Sequence, residues 1–245
     1  MSESLRVGCV PYLNARPLIR ACPFPVRLEH PSVLTRSFFG GALDAALLPV
    51  FPLLERGVAG VVDGVGIGSH GVVGSVFLAY RGALRGVREV RLDPASMTSV
   101  NLLAVVLAEF HGMRPVWDEG AEARLLIGDQ ANAFRASEGG GAWEYLDLGE
   151  EWTRCTGLPF VYAAWALGNE EAIAEAERFR EWKTAGLGQI GEIAVEENDP
   201  AFARDYLTRK IRFDLGEEER RGIAEFGRLL VKCGRLRRVN ALRYW

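Results

Sequence analysis

Phe160-Val161-Tyr162-Ala163-Ala164-Trp165-Ala166-Leu167 is an unbroken apolar run of strand length, and the chain changes character around it. Upstream, short apolar runs alternate with helical periodicity. Beyond Gly168 the segments Glu170–Lys183, Ile190–Glu197, Ala201–Arg209 and Glu217–Lys232 are charged, amphipathic and helical in pattern. A continuous apolar run suits a strand covered on both faces, whereas a half-buried strand alternates. A second strand-like stretch, Val72–Tyr80, precedes it. The pair reads as two extended crossings between two α/β lobes. Ser75–Tyr80 takes the chain out of the first lobe, Phe160–Leu167 brings it back, and the helical tail completes that lobe. The expected division is residues 1–80 plus 168–245 for lobe I and 81–167 for lobe II.

Strand and helix patterns alternate through the upstream part, which predicts parallel sheets with crossover helices. Arg6–Val10 is a short strand stopped by Pro11, followed by a helix from about Asn14 with Pro17 in its first turn. Ser32 reads as the N-cap of a helix ending at Gly40-Gly41, before a buried strand Leu43–Leu48 and a short helix Pro49–Arg56. Val87–Leu92 is a further strand. It feeds the turn Asp93–Ser99 and a helix to His111 that is apolar almost all round and therefore expected to be buried. Val116, Arg124–Ile127 and Tyr145–Leu148 supply more strands or strand edges, and Ser137–Gly141 a loop.

Composition narrows the functional classes. The 245 residues are 49% hydrophobic, enough for a sizeable core. With 29 basic and 32 acidic residues the net charge is −3, so nothing global points to nucleic acid or an anionic membrane, and any anion site must be local. The start of the chain has no signal-peptide pattern, and no apolar window reaches about 18 residues, so a cytoplasmic protein is expected. Cys9, Cys22, Cys155 and Cys233 form no C-x-x-C pair and read as free thiols. His30, His70 and His111 lack ligand spacing, so no metal site is expected. Gly66-Ile67-Gly68-Ser69-His70-Gly71 spells G-x-G-x-x-G. It leads into a strand at Val72 instead of out of one into a helix, and is rejected as a dinucleotide fingerprint.

Ligands in open α/β sheets bind beyond the carboxyl ends of the strands, and in two facing lobes those ends converge on one cleft. Four segments fall there. Asn14, on the first strand-to-helix turn, has an amide able to orient a hydroxyl or carboxylate, and equally able to cap the helix. Ser96, Thr98 and Ser99 put three hydroxyls at the start of a buried helix, where free N–H groups and the helix dipole favour an anion; ordinary capping is the alternative. Gly128-Asp129 ends an apolar strand, with Gly128 permitting close backbone approach and Asp129 able to cap a helix or hold a pocket hydroxyl. Gly74 and Ser75 stand at the mouth of the Val72 run. His70 lies near the expected cleft and is an acid–base candidate.

These segments resemble the chorismate dehydratases of the futalosine route to menaquinone. The resemblance is carried by Tyr12-Leu13-Asn14 with Pro17-Leu18, Gly71-Val72-Val73-Gly74-Ser75-Val76, and Leu92-Asp93 with Ser96-Met97-Thr98-Ser99-Val100. It continues in Leu125-Leu126-Ile127-Gly128-Asp129, in Tyr145-Leu146-Asp147-Leu148-Gly149, and in Trp152 with Thr156-Gly157-Leu158-Pro159-Phe160-Val161-Tyr162. It spans about residues 5–167, in order. It implies a two-lobed fold like the type II periplasmic binding proteins, conversion of chorismate to 3-[(1-carboxyvinyl)oxy]benzoate and water, and no metal or organic cofactor. It implies Asn14 and Ser75 as the polar pair nearest the reacting ring. Gly74, Ser96, Thr98, Ser99, Gly128 and Asp129 are then substrate binders, and His70 lies outside the pattern. Two alternatives stay open: a dihydroxynaphthoate synthase-like enzyme, expected to carry a cleft histidine, and a small-carboxylate binding protein without catalysis.

Overall fold

A computed structural model describes residues 5–92, 96–138 and 143–245. The chain opens with β1 (Val7–Cys9), a single turn at Leu13–Ala15 and α1 (Arg16–Ile19), with Pro17 tolerated in its first turn. Then come β2 (Val26–Leu28), α2 (Pro31–Phe39), β3 (Ala45–Pro49), α3 (Val50–Arg56) and β4 (Gly60–Ser69). Pro31, whose ring presets a helical φ, opens α2, so His30 and not Ser32 holds the N-cap position. The middle of the chain holds β5 (Val76–Tyr80), β6 (Glu89–Val90), α4 (Met97–Val105), β7 (Val116–Trp117), β8 (Arg124–Ile127), α5 (Gly128–Glu138), β9 (Glu144–Asp147) and α6 (Leu148–Thr156). After β10 (Phe160–Leu167) follow α7 (Glu170–Ala174), α8 (Ala176–Leu187), α9 (Ile190–Val195), α10 (Pro200–Asp205) and α11 (Glu217–Lys232).

The strands form a five-stranded sheet in the order β2-β1-β3-β10-β4, a three-stranded sheet in the order β8-β5-β9, and a small pair, β6-β7. β1 is parallel to β2 and β3, as the crossover helices predict. β10 is antiparallel to β3 and β4, and β5 is antiparallel to β8 and β9. The all-parallel expectation is therefore corrected for the crossing strands. They enter each sheet from the other lobe and not through a local crossover helix, so nothing fixes them parallel to their neighbours.

Pairing also corrects the lobe boundaries. β5 belongs to the second sheet and β10 to the first, so the chain changes sheet between Ser69 and Val76 and again between Thr156 and Phe160. The divisions at 80/81 and 167/168 lie one strand too late in each case. Apolarity marks these strands as buried; hydrogen bonding decides which sheet they join. The expected strand from Val72 begins only at Val76, because the amides of Val73 and Gly74 donate to the Asp147 carboxylate and not to a ladder. The sequence pattern does not predict β4, since glycines at 60, 64, 66 and 68 obscure it. At Gly68 the reason for glycine is spatial: a Cβ there would lie 2.7 Å from the Phe160 carbonyl oxygen of β10.

One aromatic cluster joins the two halves. Trp152 of α6 packs edge-on against Phe160 of β10 at 5.2 Å and Phe226 of α11 at 6.1 Å, all three buried. Each such ring removes on the order of 150–250 Å² from water. The tail helix α8 lies on β4 and against α1 so closely that a Cβ at Gly186 would collide with the Pro17 carbonyl oxygen. Among the described residues no helix is long and apolar enough to cross a membrane.

Candidate active site

A cleft of about 700 Å³, its open mouth included, lies where the strand ends converge. One wall is built from Val10 and Asn14 after β1, Leu47 and Pro49 of β3, Ile67 of β4, and Tyr162 and Ala163 of β10. The other carries Ser75 and Val76, the corner Ser96, Thr98 and Ser99, and Ile127 with Gly128. Six of the predicted site residues, Asn14, Ser75, Ser96, Thr98, Ser99 and Gly128, thus line one space.

The short turn at Leu13–Ala15 holds Asn14 half-buried. Its Nδ2 donates to the Tyr206 phenol oxygen at 3.3 Å, and its Oδ1 is buried without a partner. Ser75 is only 2% exposed, and its Oγ lies 2.8 Å from the same phenol oxygen. Tyr206 follows α10 at the start of a wide π-type turn, Tyr206–Lys210, and its ring stacks on Phe202 with centroids 5.7 Å apart. The sequence reading missed Tyr206, which sits among charged helical residues with no motif around it.

Across the cleft, α4 starts at the hydroxyl-rich corner. Ser96 is its N-cap and accepts from the Ser99 amide at 3.3 Å, a long bond. Thr98 Oγ1 accepts from the Phe51 amide at 3.1 Å and so pins α4 to the first turn of α3. Capping and cleft lining are therefore both present in this corner. Asp93 to Ala95, the rest of that turn, lie outside the described residues. At the next corner the Gly128 amide donates to the Ser75 carbonyl at 2.7 Å, with Gly128 at φ +54° where α5 begins. Asp129 is the second residue of α5, and its side chain lies outside what the structure describes.

Gly74 stands apart from this lining. Its amide donates to Asp147 Oδ2 at 2.7 Å, and its φ of +80° suits glycine. Asp147, 5% exposed, also accepts from the amides of Val73 at 3.1 Å, Gly149 at 3.1 Å and Glu150 at 3.0 Å. His70 is exposed, with Nδ1 3.2 Å from an Arg212 guanidinium nitrogen, and does not line the cleft. The described lining holds no carboxylate, imidazole, ammonium or guanidinium. The Tyr162 phenol in this lining has its pKa pushed well above the usual value by burial and stays neutral. Cys9, Cys22, Cys155 and Cys233 are free thiols.

A cleft whose described lining is neutral and includes two helix starts suits a small anion, and relatives bear on which one. A family model described as menaquinone biosynthesis matches residues 5–232. The chain belongs to the menaquinone-biosynthesis family. A curated relative, the chorismate dehydratase of Thermus thermophilus, is 31% identical over 91% of this chain and 94% of its own length. Solved structures place this family member among periplasmic-binding-protein-like folds. The Archaeoglobus fulgidus protein AF1704 matches with a TM-score of 0.67 at 14% identity, covering 96% of this chain and 99% of that one. The alkanesulfonate-binding protein SsuA of Xanthomonas axonopodis pv. citri, bound to MOPS, matches at 0.64 and 14%, covering 95% and 93%. The Candida albicans CA3427 product, described as having the generic periplasmic binding protein fold, matches at 0.62 and 11%, covering 95% and 90%. These distant likenesses concern the fold alone.

Proposed function

We propose that this chain is a chorismate dehydratase, a carbon–oxygen lyase that releases water from chorismate and leaves 3-[(1-carboxyvinyl)oxy]benzoate. The observation that carries the reading is the neutral polar pair Asn14 and Ser75 facing the Ser96–Ser99 corner in one cleft. Membership of the menaquinone-biosynthesis family and the 31% identical dehydratase supply its chemistry.

Chorismate brings two carboxylates, and the first-turn N–H groups of α4 with the Thr98 and Ser99 hydroxyls are suited to receive one of them. The reaction removes the ring hydroxyl and the proton on the ether-bearing carbon, and the ring becomes aromatic. Such a downhill step needs one conformer held, developing charge stabilised and water excluded more than it needs a strong acid or base. Asn14, with its unpaired buried Oδ1, orients the substrate at the reacting face. Ser75 donates to the hydroxyl as it departs. The proton acceptor in this reading is the substrate's own enolpyruvyl carboxylate. The exposed position of His70 gives no support to a dihydroxynaphthoate synthase-like reading. We place the enzyme in the cytoplasm, where four free thiols stay reduced.

The test is incubation with chorismate while ultraviolet absorbance follows the aromatic product. Wild type is expected to convert it, and Asn14→Ala and Ser75→Ala each to lose about 10²–10³ in kcat. Near-normal kcat in both variants would sink the residue assignment. Tight binding of unchanged chorismate would make the protein a binding module.

A further inference from the structure

Tyr206 lies 192 positions from Asn14 and 131 from Ser75 in sequence, yet its phenol touches both. We propose that Tyr206 is a positioning residue for the dehydration: it sets the direction of a hydrogen-bond chain from Asn14 through Tyr206 to Ser75, so that the Ser75 proton faces the substrate. The inference rests on the dehydratase reading and extends it to a residue outside the cleft lining.

The argument is one of donors and acceptors. The Asn14 amide nitrogen can only donate, so the phenol oxygen accepts from it. The phenol has one proton, and Ser75 Oγ at 2.8 Å is at the usual O–H···O distance. When that proton goes to Ser75 Oγ, the serine keeps its own proton for another partner, and Ser75 lines the cleft. The opposite polarity would have Ser75 donating to Tyr206 and presenting lone pairs to a departing hydroxyl, which repel it. As the carbon–oxygen bond breaks, its electron pair stays on the oxygen. The ring C–H proton passes to the enolpyruvyl carboxylate and ends on that oxygen as water. Ser75 and Tyr206 supply hydrogen bonds and neither gains nor loses a proton overall.

The surroundings hold the phenol where this requires. Tyr206 is 3% exposed, its ring is stacked on Phe202, and the wide turn starting at Tyr206 is a local departure from α geometry of the sort found at functional sites. The segment between α9 and α10 is tied to α1 and its C-cap by ion pairs from Arg16 to Glu196 and Glu197 and from Arg20 to Glu196. The tail is thereby anchored to the helix that carries the Asn14 turn.

Tyr206→Phe removes the hydroxyl and keeps the ring and its stacking. With chorismate as substrate, kcat is expected to fall about 10–100-fold, with KM within about threefold and a melting temperature within about 3 °C of wild type. In a Ser75→Ala background the same substitution should change the residual kcat by less than about twofold, because its route to the substrate is already cut. Wild-type kcat in Tyr206→Phe, or an equal proportional drop in both backgrounds, overturns the inference while chorismate turnover by the wild type leaves the dehydratase reading standing. A wild type that leaves chorismate unchanged overturns both.

Discussion

At the start of α6 the Asp147 carboxylate accepts four backbone N–H groups, whereas at the start of α4 the Ser96 hydroxyl accepts one, from Ser99 at 3.3 Å. Both corners join a strand or turn to a helix, and both cap residues are buried. In the α6 corner a charged acceptor consumes the donors and neutralises the positive end of the helix. Among the described residues the α4 corner has only neutral hydroxyls, which leave the dipole of α4 to act on whatever occupies the cleft. A helix start capped by a carboxylate is a structural joint, whereas one capped by a hydroxyl keeps more of its field for an anion.

Two substitutions test that contrast directly, and a third tests a carboxylate held by a side chain instead of by helix amides. The largest effect is expected from Asp147→Ala, which leaves four amides without their acceptor. At about 1–3 kcal/mol for each buried donor left unpaired, with partial rescue by water, we expect a loss of about 4 kcal/mol. It is read as a lower urea midpoint, and a midpoint equal to wild type would break the account of this corner. Ser96→Asp does the converse by placing a carboxylate at the N-cap of α4. It should raise KM for chorismate by about 100-fold through like-charge repulsion while adding about 0.5–1 kcal/mol of stability as a better cap. An unchanged KM would mean that the substrate does not use this corner.

The smallest effect concerns a third carboxylate, satisfied mainly by a guanidinium. Asp44 accepts from Arg6 Nε at 2.9 Å and Nη2 at 2.6 Å and from Asn169 at 2.8 Å. The Arg6 side chain, first of all, holds its pKa down to about 2. A folded pKa below the unfolded value of about 3.9 means that the stabilisation is present above about pH 4 and is lost as pH falls towards 2. Asp44→Asn should therefore lose less stability than wild type on acidification from pH 5 to pH 3, as compared by urea midpoints. Parallel losses in the two proteins would count against Arg6 as the cause.

The sequence carried the fold further than the site. Apolar continuity at Val76–Tyr80 and Phe160–Leu167 was enough to infer two crossings, yet it could not say which sheet each strand joins, since pairing depends on partners far along the chain. β4 was illegible because its glycines meet the needs of close packing, as at Gly68 against Phe160, and not of strand propensity. Local signals did bring Asn14, Ser75, the Ser96–Ser99 corner and Gly128 to one cleft, because strand ends and helix starts write themselves into short windows. Asp147 lay inside a recognised block without its task being readable: its partners Val73 and Gly74 are more than seventy residues away. Tyr206 left no local trace, since its contacts with Asn14 and Ser75 reach across more than a hundred residues of sequence.

The Gly128-to-Ser75 bond fixes Ser75 to the second sheet, while Asn14 and Tyr206 come from the β1–α1 turn and the tail. The seam between the halves therefore runs through the 2.8 Å contact between Ser75 and Tyr206. A parting of the halves by about 1 Å takes that pair beyond hydrogen-bond reach. On the proposed role of Tyr206, any opening of the cleft along this seam would also undo the alignment of Ser75.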